Sequence, residues 1–172
     1  NIPGREKIEK RLTQLWNFER FGLPRRRGGQ YFYKRNDGLQ NQSVLYVADS
    51  LDGEPRELLD PNKLSKDGTV SLASWSVSDD GRLLAYALAD GGSDWRTWHV
   101  KDVASGKDLK DTIEWSKFSG ASWLADGSGF FYSAYNPPAE GEELTAKNEF
   151  QKMYLHRIGE PEIEQHLRNA QR

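Results

Sequence analysis

A serine beside an acid lies in the glycine-rich stretch Gly91-Gly92-Ser93-Asp94-Trp95. This stretch is the nearest approach in the sequence to the G-x-S-x-G turn that exposes the nucleophile of many serine hydrolases. The position of the final glycine is occupied by Trp95, and a bulky indole would crowd such a turn. A serine nucleophile also needs a histidine and an acid brought close to it. We therefore interpret Ser93 as an ordinary turn serine.

The three histidines do not form a metal-binding motif. His99 and His156 fall in predicted strands and His166 in a predicted helix, and none has a partner at a spacing such as H-E-x-x-H. The sequence contains no cysteine, which removes disulfides, thiol nucleophiles and the common zinc motifs. We interpret each histidine as structural or exposed, and we expect neither a metal ion nor a cofactor.

Adjacent carboxylates and one basic run are the remaining polar candidates. Asp79-Asp80 and Glu142-Glu143 could be imagined as acid-base pairs, but neighbouring side chains in a loop point in different directions, which favours solvated loops. Arg25 to Arg27 could hold a phosphate or a carboxylate. Three charges before a Gly-Gly turn are more typical of a solvated strand edge, and we assign this run no role. The residues alone do not describe a complete enzyme.

Composition excludes several classes of partner. The 172 residues carry 24 basic and 26 acidic side chains, and a net charge of −2 gives no field that would attract nucleic acid or an anionic membrane. No apolar run approaches the roughly 20 residues that a membrane helix needs. The N-terminal residues do not read as a signal peptide, and an upstream leader is not visible. The sequence favours neither a cytoplasmic nor a periplasmic location.

Residues 74–107 predict three antiparallel strands in a row. Each apolar run is short and ends in a turn cluster, at 79–81, 90–93 and 104–106, which leaves no room for a helix of ten or more residues. Aromatic residues form 12% of the chain and include six tryptophans. Such side chains supply large buried areas to short strands.

The same pattern recurs along the chain at fixed spacing. A glycine followed five residues later by tyrosine starts at Gly28, Gly81 and Gly127, and the strand LYVAD at 45–49 recurs as WHVKD at 98–102. The first two copies lie 53 residues apart at both positions. A period of roughly 40 to 55 residues with about four short strands per unit is typical of a β-propeller blade. A meandering sandwich or barrel is the alternative.

We therefore predict an all-β fold, a partial β-propeller of about three four-stranded antiparallel blades with the last one incomplete, and a short helix at each end. The predicted segments are an N-terminal helical segment at 1–20, blade 1 at 21–66, blade 2 at 67–116, an incomplete blade 3 at 117–159 and a helical tail at 160–172.

Apolar residues at helical spacing predict the two helices. The first helix covers 5–18, and its apolar stripe consists of Ile8, Leu12, Leu15 and Trp16. We expect this stripe to pack on its own protein rather than to bind a partner. The second helix covers 161–170, with Ile163 and Leu167 on one side.

Whole segments of the sequence resemble the prolyl oligopeptidase family. The specific strings are GLQNQSVLYV, LLDPN and GSDW, followed by IEWSKFSGASWLADGSGFFYSAYN and QKMYLHRIG. The resemblance covers about residues 2–159, whereas residues 160–172 depart from the family pattern. In that family an α/β-hydrolase domain carries a Ser-Asp-His triad, and a seven-bladed propeller covers it.

The resemblance implies a propeller fragment of a serine endopeptidase that cleaves short peptides after proline. The fragment would cover the catalytic domain and filter access to it, and the triad lies outside the matched region, so whether this chain is itself an enzyme stays open. The implied substrate-binding residues are Asp94, in GSDW, and Phe118, in KFSG. The residues taken alone favour a hairpin acid that caps its own backbone and a core phenylalanine.

The implied partners are the catalytic α/β-hydrolase domain or the remaining blades, and proline-containing peptides. Self-association is a further expectation, because three blades do not close a ring of about four to eight. A free-standing β-propeller that binds proteins without catalysis is the alternative function.

Overall fold

The computed structural model describes residues 3–142, 145 and 147–160. These residues fall in two compact units, one of Asn1–Arg26 with Gln30–Gly68 and one of Arg27–Gly29 with Thr69–Arg172. Both units are built from antiparallel strands, and the predicted all-β fold is confirmed. The predicted helix at 161–170 lies outside the described residues.

One helix, α1 (Arg5–Trp16), precedes the strands and is close to the predicted range of 5–18. Gly4, with φ 82°, forms its N-cap, and the Asn17 N–H donates to the Thr13 carbonyl at its end. No residue of α1 is buried, and the apolar stripe is about half exposed, from 50% at Leu12 to 59% at Trp16. The stripe is therefore not covered by the part of the chain that the structure describes, and its packing on the rest of the protein stays a prediction.

The first unit contains a sheet in the order β1-β3-β4-β5, and β2 also pairs with β3. Its strands are β1 (Arg20–Phe21), β2 (Arg25–Arg27), β3 (Gln30–Asn36), β4 (Val44–Ala48) and β5 (Arg56–Leu59). Strands β2 to β5 lie within the range 21–66 predicted for blade 1, and β4 overlaps the strand predicted at 45–49. The two-residue β1 was not predicted, because it owes its pairing to β3 rather than to a local apolar pattern.

The second unit contains two sheets. The strands of the four-stranded sheet are β6 (Ser71–Val77), β7 (Leu83–Ala89), β8 (Arg96–Asp102) and β9 (Asp108–Ser116). The strands of the three-stranded sheet are β10 (Ser122–Trp123), β11 (Gly129–Ala134) and β12 (Lys152–Arg157). Among the described residues no fourth strand joins this sheet, in agreement with a blade predicted to be incomplete.

The two sheets of this unit share one apolar core. Small side chains on β7, Ala85 and Ala87, are fully buried with the large rings of Trp98 and Phe130, whose centroids are 6.1 Å apart. Alternate residues of a strand point to opposite faces, so one face of each sheet supplies the core. Because residues of both sheets share this core, it holds the two sheets together and keeps the ends of their strands in fixed relative positions.

The glycine that starts each sequence repeat has a left-handed backbone. The φ angles of Gly28, Gly81 and Gly127 are 53°, 76° and 69°. At Gly28 a Cβ atom would lie 2.0 Å from the Asp80 carbonyl oxygen, so no larger residue fits. The repeat seen in the sequence is therefore a repeated turn.

Candidate functional site

Three connections of the second unit lie at the same end of its two sheets. They are the β7–β8 turn (90–95), the β9–β10 link (117–121) and the described part of the β11–β12 connection (135–142, 145 and 147–151). Arg96 at the start of β8 pairs with Ser116 at the end of β9, and Ala134 at the end of β11 pairs with Lys152. We call this group of connections the loop end.

Three aromatic rings, one beside each connection, join the loop end together. The Trp95 ring meets Trp115 edge to face, with centroids 5.5 Å apart, and meets Tyr135 in the same way at 6.1 Å. The Tyr135 N–H donates to the Trp115 carbonyl. Edge-to-face pairs add about 0.5–1.5 kcal/mol each beyond the area that they bury.

A lysine completes this cluster. The Lys117 ammonium lies 3.7 Å from the centroid of the Trp95 ring and donates a hydrogen bond of 3.0 Å to the Asn148 side chain. Only 7% of Lys117 is exposed. A desolvated cation over an indole face gains about 2 kcal/mol of interaction free energy, so the buried charge of Lys117 is stabilised by its contacts.

Phe118 follows this lysine and is exposed. Its relative exposure is 61%, while its neighbours Lys117 and Ser119 are buried. The core position that the residues alone predicted for Phe118 is therefore wrong. The φ angle of Phe118 is 52°, and those of Trp115 and Phe150 are 54° and 59°. Bulky residues rarely adopt this region, and backbone of this kind costs about 1–3 kcal/mol per residue. The strained positions among the described residues therefore all lie at the loop end.

Asp94 lies on the exposed side of the β7–β8 turn. Gly91 and Gly92, with φ 55° and 76°, form the turn, and the Ser93 hydroxyl accepts from the Trp95 N–H at 3.1 Å. The residue that caps this backbone is thus the serine and not the acid. Within residues 3–142, 145 and 147–160, no donor hydrogen-bonds the Asp94 carboxylate. The carboxylate is available to a cation from outside these residues.

Ser93, Asp94 and Phe118 lie at the loop end, but neither histidine of the described residues accompanies them. His156 is instead buried between β12 and β9, with Nε2 2.7 Å from Asp111 Oδ1, and is structural as predicted. His99 is half-buried and packs against the Tyr86 ring in a tilted arrangement, and burial lowers the pKa of His99. His166 lies outside the described residues. The structure thus agrees with Ser93 as a turn serine.

The other polar candidates also have structural partners. Asp80 accepts hydrogen bonds from the Ser78 hydroxyl and the Arg82 N–H, which lower its pKa to about 2. Arg27 lies 3.4 Å from Asp79, and the whole run Arg25–Arg27 is exposed, as expected for a strand edge. Glu143 is outside the described residues.

In the described part of the chain no three His, Cys, Asp or Glu side chains converge as a metal site. The helix found there is also too short and too polar to cross a bilayer.

Sequence reasoning missed the supporting residues of the loop end. Trp95, Trp115 and Tyr135 each flank the end of a strand, and that shared position is a signal from which they could have been found. Lys117 and Asn148 are 31 residues apart, and nothing in their local sequence indicates that they meet.

Comparison with known proteins gives a consistent assignment. The family model described as the prolyl oligopeptidase N-terminal β-propeller domain matches residues 1–167. A prolyl endopeptidase of Elizabethkingia meningoseptica is 43% identical over 166 residues, and a prolyl oligopeptidase of Omphalotus olearius is 35% identical over 179. The alignments cover 96% and 92% of this chain, but only 23% and 24% of those proteins.

Solved structures agree. The chain is similar to a prolyl endopeptidase with a TM-score of 0.89 and 33% identity, covering 96% of this chain and 24% of that one. It is also similar to prolyl oligopeptidase B from Galerina marginata bound to a 25mer macrocyclization substrate, with a TM-score of 0.84, 26% identity, and 94% and 25% covered. The chain spans about a quarter of the length of these relatives. It belongs to the prolyl oligopeptidase family and matches that family's N-terminal β-propeller domain.

Proposed function

We propose that this chain is a substrate-filtering propeller segment of a serine endopeptidase that cleaves short peptides after proline. In this proposal the chemistry belongs to a catalytic α/β-hydrolase domain, which the 172 residues do not include. The names of the relatives, prolyl endopeptidase and prolyl oligopeptidase, support the reaction class. The role of this chain is to contact the peptide and to limit access to the catalytic domain.

The observation that carries the proposal is the pairing of an exposed ring and an exposed acid at the loop end. Phe118 offers an apolar face to a peptide side chain, and removal of that surface from water is worth about 25 cal/mol per Å². Asp94 offers a charge to a lysine, an arginine or a peptide amine. An exposed ion pair contributes only about 0.2–1 kcal/mol, so the acid adjusts preference while the ring supplies most of the affinity.

The surface of α1 supports the catalytic domain, or further blades, as a partner. Its stripe of Ile8, Leu12, Leu15 and Trp16 is uncovered within the described residues, and an apolar helical face of this size favours docking against another surface. The opposite face carries charges that keep the helix solvated.

An assay of the purified chain tests where the chemistry resides. With a chromogenic proline peptide and a serine-directed phosphonate, we expect neither turnover nor covalent labelling, because neither of the two described histidines, His99 and His156, accompanies Ser93 at the loop end. Turnover by this chain would contradict the proposal.

Substitution of the acid tests the peptide-contacting role. We expect Asp94→Asn to weaken binding of a blocked tetrapeptide of lysine, leucine, alanine and proline about two- to fivefold, the range of an exposed ion pair. The affinity for the same peptide with glutamate in place of lysine should not fall. Asp52→Asn, at an exposed turn in the first unit, is the matched control. If Asp94→Asn lowers the melting temperature while peptide binding stays intact, Asp94 is a structural residue.

A further inference from the structure

We infer that Lys117 is a positioning residue that holds Phe118 outward and fixes its segment to the turn that carries Asp94. This inference rests on the proposed function, because it concerns the surface that the peptide would contact. It starts from an unusual arrangement, in which a buried, charged side chain directly precedes an exposed aromatic one.

The backbone at Phe118 needs support from its surroundings. A phenylalanine at φ 52° is strained, and the residue would relax to an ordinary conformation if its neighbours could move. Phe118 is 61% exposed, so burial holds its ring in place only weakly. The restraint must therefore come from the residues on either side.

Both sides of Phe118 are anchored. On the N-terminal side, the Lys117 ammonium is bound to the Trp95 ring and to Asn148, while the Lys117 carbonyl accepts from the Gln151 side chain at 3.2 Å. On the C-terminal side, the Ser119 hydroxyl accepts from the Ser133 N–H at 2.7 Å. The two anchors hold residues 117 and 119 in place, so that the Phe118 ring projects outward from a short, fixed segment. We call residues 117–119 the arch.

The same contacts connect Phe118 with Asp94. Trp95 is the residue after Asp94, so the contact between the Lys117 ammonium and the Trp95 ring joins the β9–β10 link to the β7–β8 turn. The Arg96 guanidinium strengthens this connection by donating to the Ser119 carbonyl at 3.0 Å. Asn148 and Gln151 add the β11–β12 connection. A peptide that touches both Asp94 and Phe118 would thus meet two groups at a fixed spacing.

The charge of Lys117 is the feature that distinguishes this role from simple packing. Lys117→Met retains the long apolar stem and removes the ammonium, so it leaves the volume almost unchanged and deletes both the ring contact and the hydrogen bond to Asn148. Lys117→Arg keeps a cation that can stack on the indole. Lys147→Met, at an exposed lysine in the same connection as Asn148, is the matched control.

The test uses the full 172-residue chain labelled with 4-fluorophenylalanine and observed by ¹⁹F NMR without ligand. We expect one narrow Phe118 signal in the unmodified chain, several or broadened Phe118 signals in Lys117→Met, and recovery of the narrow signal in Lys117→Arg. The signal of buried Phe130 should not change. An unchanged Phe118 signal in Lys117→Met would overturn the inference, and so would a common change in every phenylalanine signal, which indicates a loss of the fold.

Titration of the same samples with the lysine-containing tetrapeptide separates this inference from the proposed function. We expect Lys117→Met to bind about fivefold more weakly, with Lys147→Met and Lys117→Arg close to the unmodified chain. Full binding by Lys117→Met would overturn the inference and leave the proposed function standing. Absence of binding by the unmodified chain would overturn both.

Discussion

Phe118 combines an exposed ring with a backbone conformation that residues with a Cβ atom rarely adopt. The effect of the ring on peptide affinity can therefore be measured separately from the effect of the backbone on stability. A residue other than glycine at φ 52° pays about 1–2 kcal/mol for its Cβ atom, whereas glycine does not. We expect Phe118→Ala and Phe118→Gly to lose peptide affinity equally, because both remove the ring. In urea unfolding, Phe118→Gly should be about 1 kcal/mol more stable than Phe118→Ala. Equal stabilities would mean that the arch is not strained, and retained affinity would mean that the ring does not contact the peptide.

Among single elements, two turns at equivalent repeat positions each contain an aspartate that accepts from the N–H two residues ahead and from a serine hydroxyl, which precedes Asp80 and follows Asp126. Asp80 accepts hydrogen bonds from the Ser78 hydroxyl and the Arg82 N–H. Asp126 accepts hydrogen bonds from the Ser128 N–H and the Ser128 hydroxyl. These hydrogen bonds lower the pKa of both carboxyls, that of Asp80 from its usual 3.8 to about 2. A charged acid thus stabilises each turn.

The lowered pKa of Asp80 predicts a pH-dependent stability. The unfolded chain binds a proton near pH 3.8 and the folded chain only near pH 2, so this contribution is complete above about pH 4 and is lost as the pH falls through about 2. We expect the free energy of unfolding to fall less steeply between pH 4 and 2 in Asp80→Asn. Urea unfolding of both proteins at several pH values measures this dependence. If the unfolding free energies of the unmodified chain and of Asp80→Asn change equally with pH, the Asp80 carboxylate does not have this role.

The buried pair His156 and Asp111 joins strands of the two sheets in the second unit. Asp111 Oδ1 lies 2.7 Å from His156 Nε2 and accepts from the Gly159 N–H at 2.7 Å. An unpaired buried polar group costs roughly 1–3 kcal/mol, so Asp111→Ala should lower the unfolding free energy by about 3 kcal/mol. Lys110→Ala, at an exposed lysine on the same strand, should change it by less than about 0.5 kcal/mol. Similar effects of the two substitutions in denaturant unfolding would contradict this assignment.

The elements that could be predicted from the sequence are those with local causes. The strands of the second unit are bounded by turn clusters such as 79–81, and α1 follows from its 3.6-residue stripe. The two-residue β1 and the contact of Lys117 with Asn148 could not be predicted, because both depend on partners that only the tertiary fold brings together. Asp94 and Phe118 were predicted as substrate-binding residues from the family resemblance alone, and only the structure shows that Phe118 is exposed.

In the molecule as a whole, the described residues leave one face of the three-stranded sheet less covered than the equivalent face of the four-stranded sheet. Phe131 and Met153 are 40% and 66% exposed. The strand registers place them at the positions that Ala85 and Trp98, both fully buried, occupy in the four-stranded sheet. An uncovered apolar face of this kind favours association with another sheet.

We therefore expect the isolated chain to self-associate at micromolar concentration and to sediment as a species heavier than 19.6 kDa. Met153→Lys should shift the population toward monomer, while Leu51→Lys, at an exposed turn of the first unit, should not. A folded monomer for the unmodified chain, or equal effects of the two substitutions, would refute the expectation.

A ¹⁵N NMR titration of the six tryptophan indole N–H groups with the lysine-containing tetrapeptide tests directly whether the loop end binds peptide. Trp95 and Trp115 lie at the loop end, whereas Trp16 is on α1 and the Trp123 indole donates to the Ser76 carbonyl at 3.0 Å, away from that end. If the loop end binds peptide, the signals of Trp95 and Trp115 shift in a saturable way and those of Trp16 and Trp123 do not. Absence of shifts at saturating peptide, or shifts led by Trp16 or Trp123, would contradict the proposal that Asp94 and Phe118 mark a peptide-binding surface.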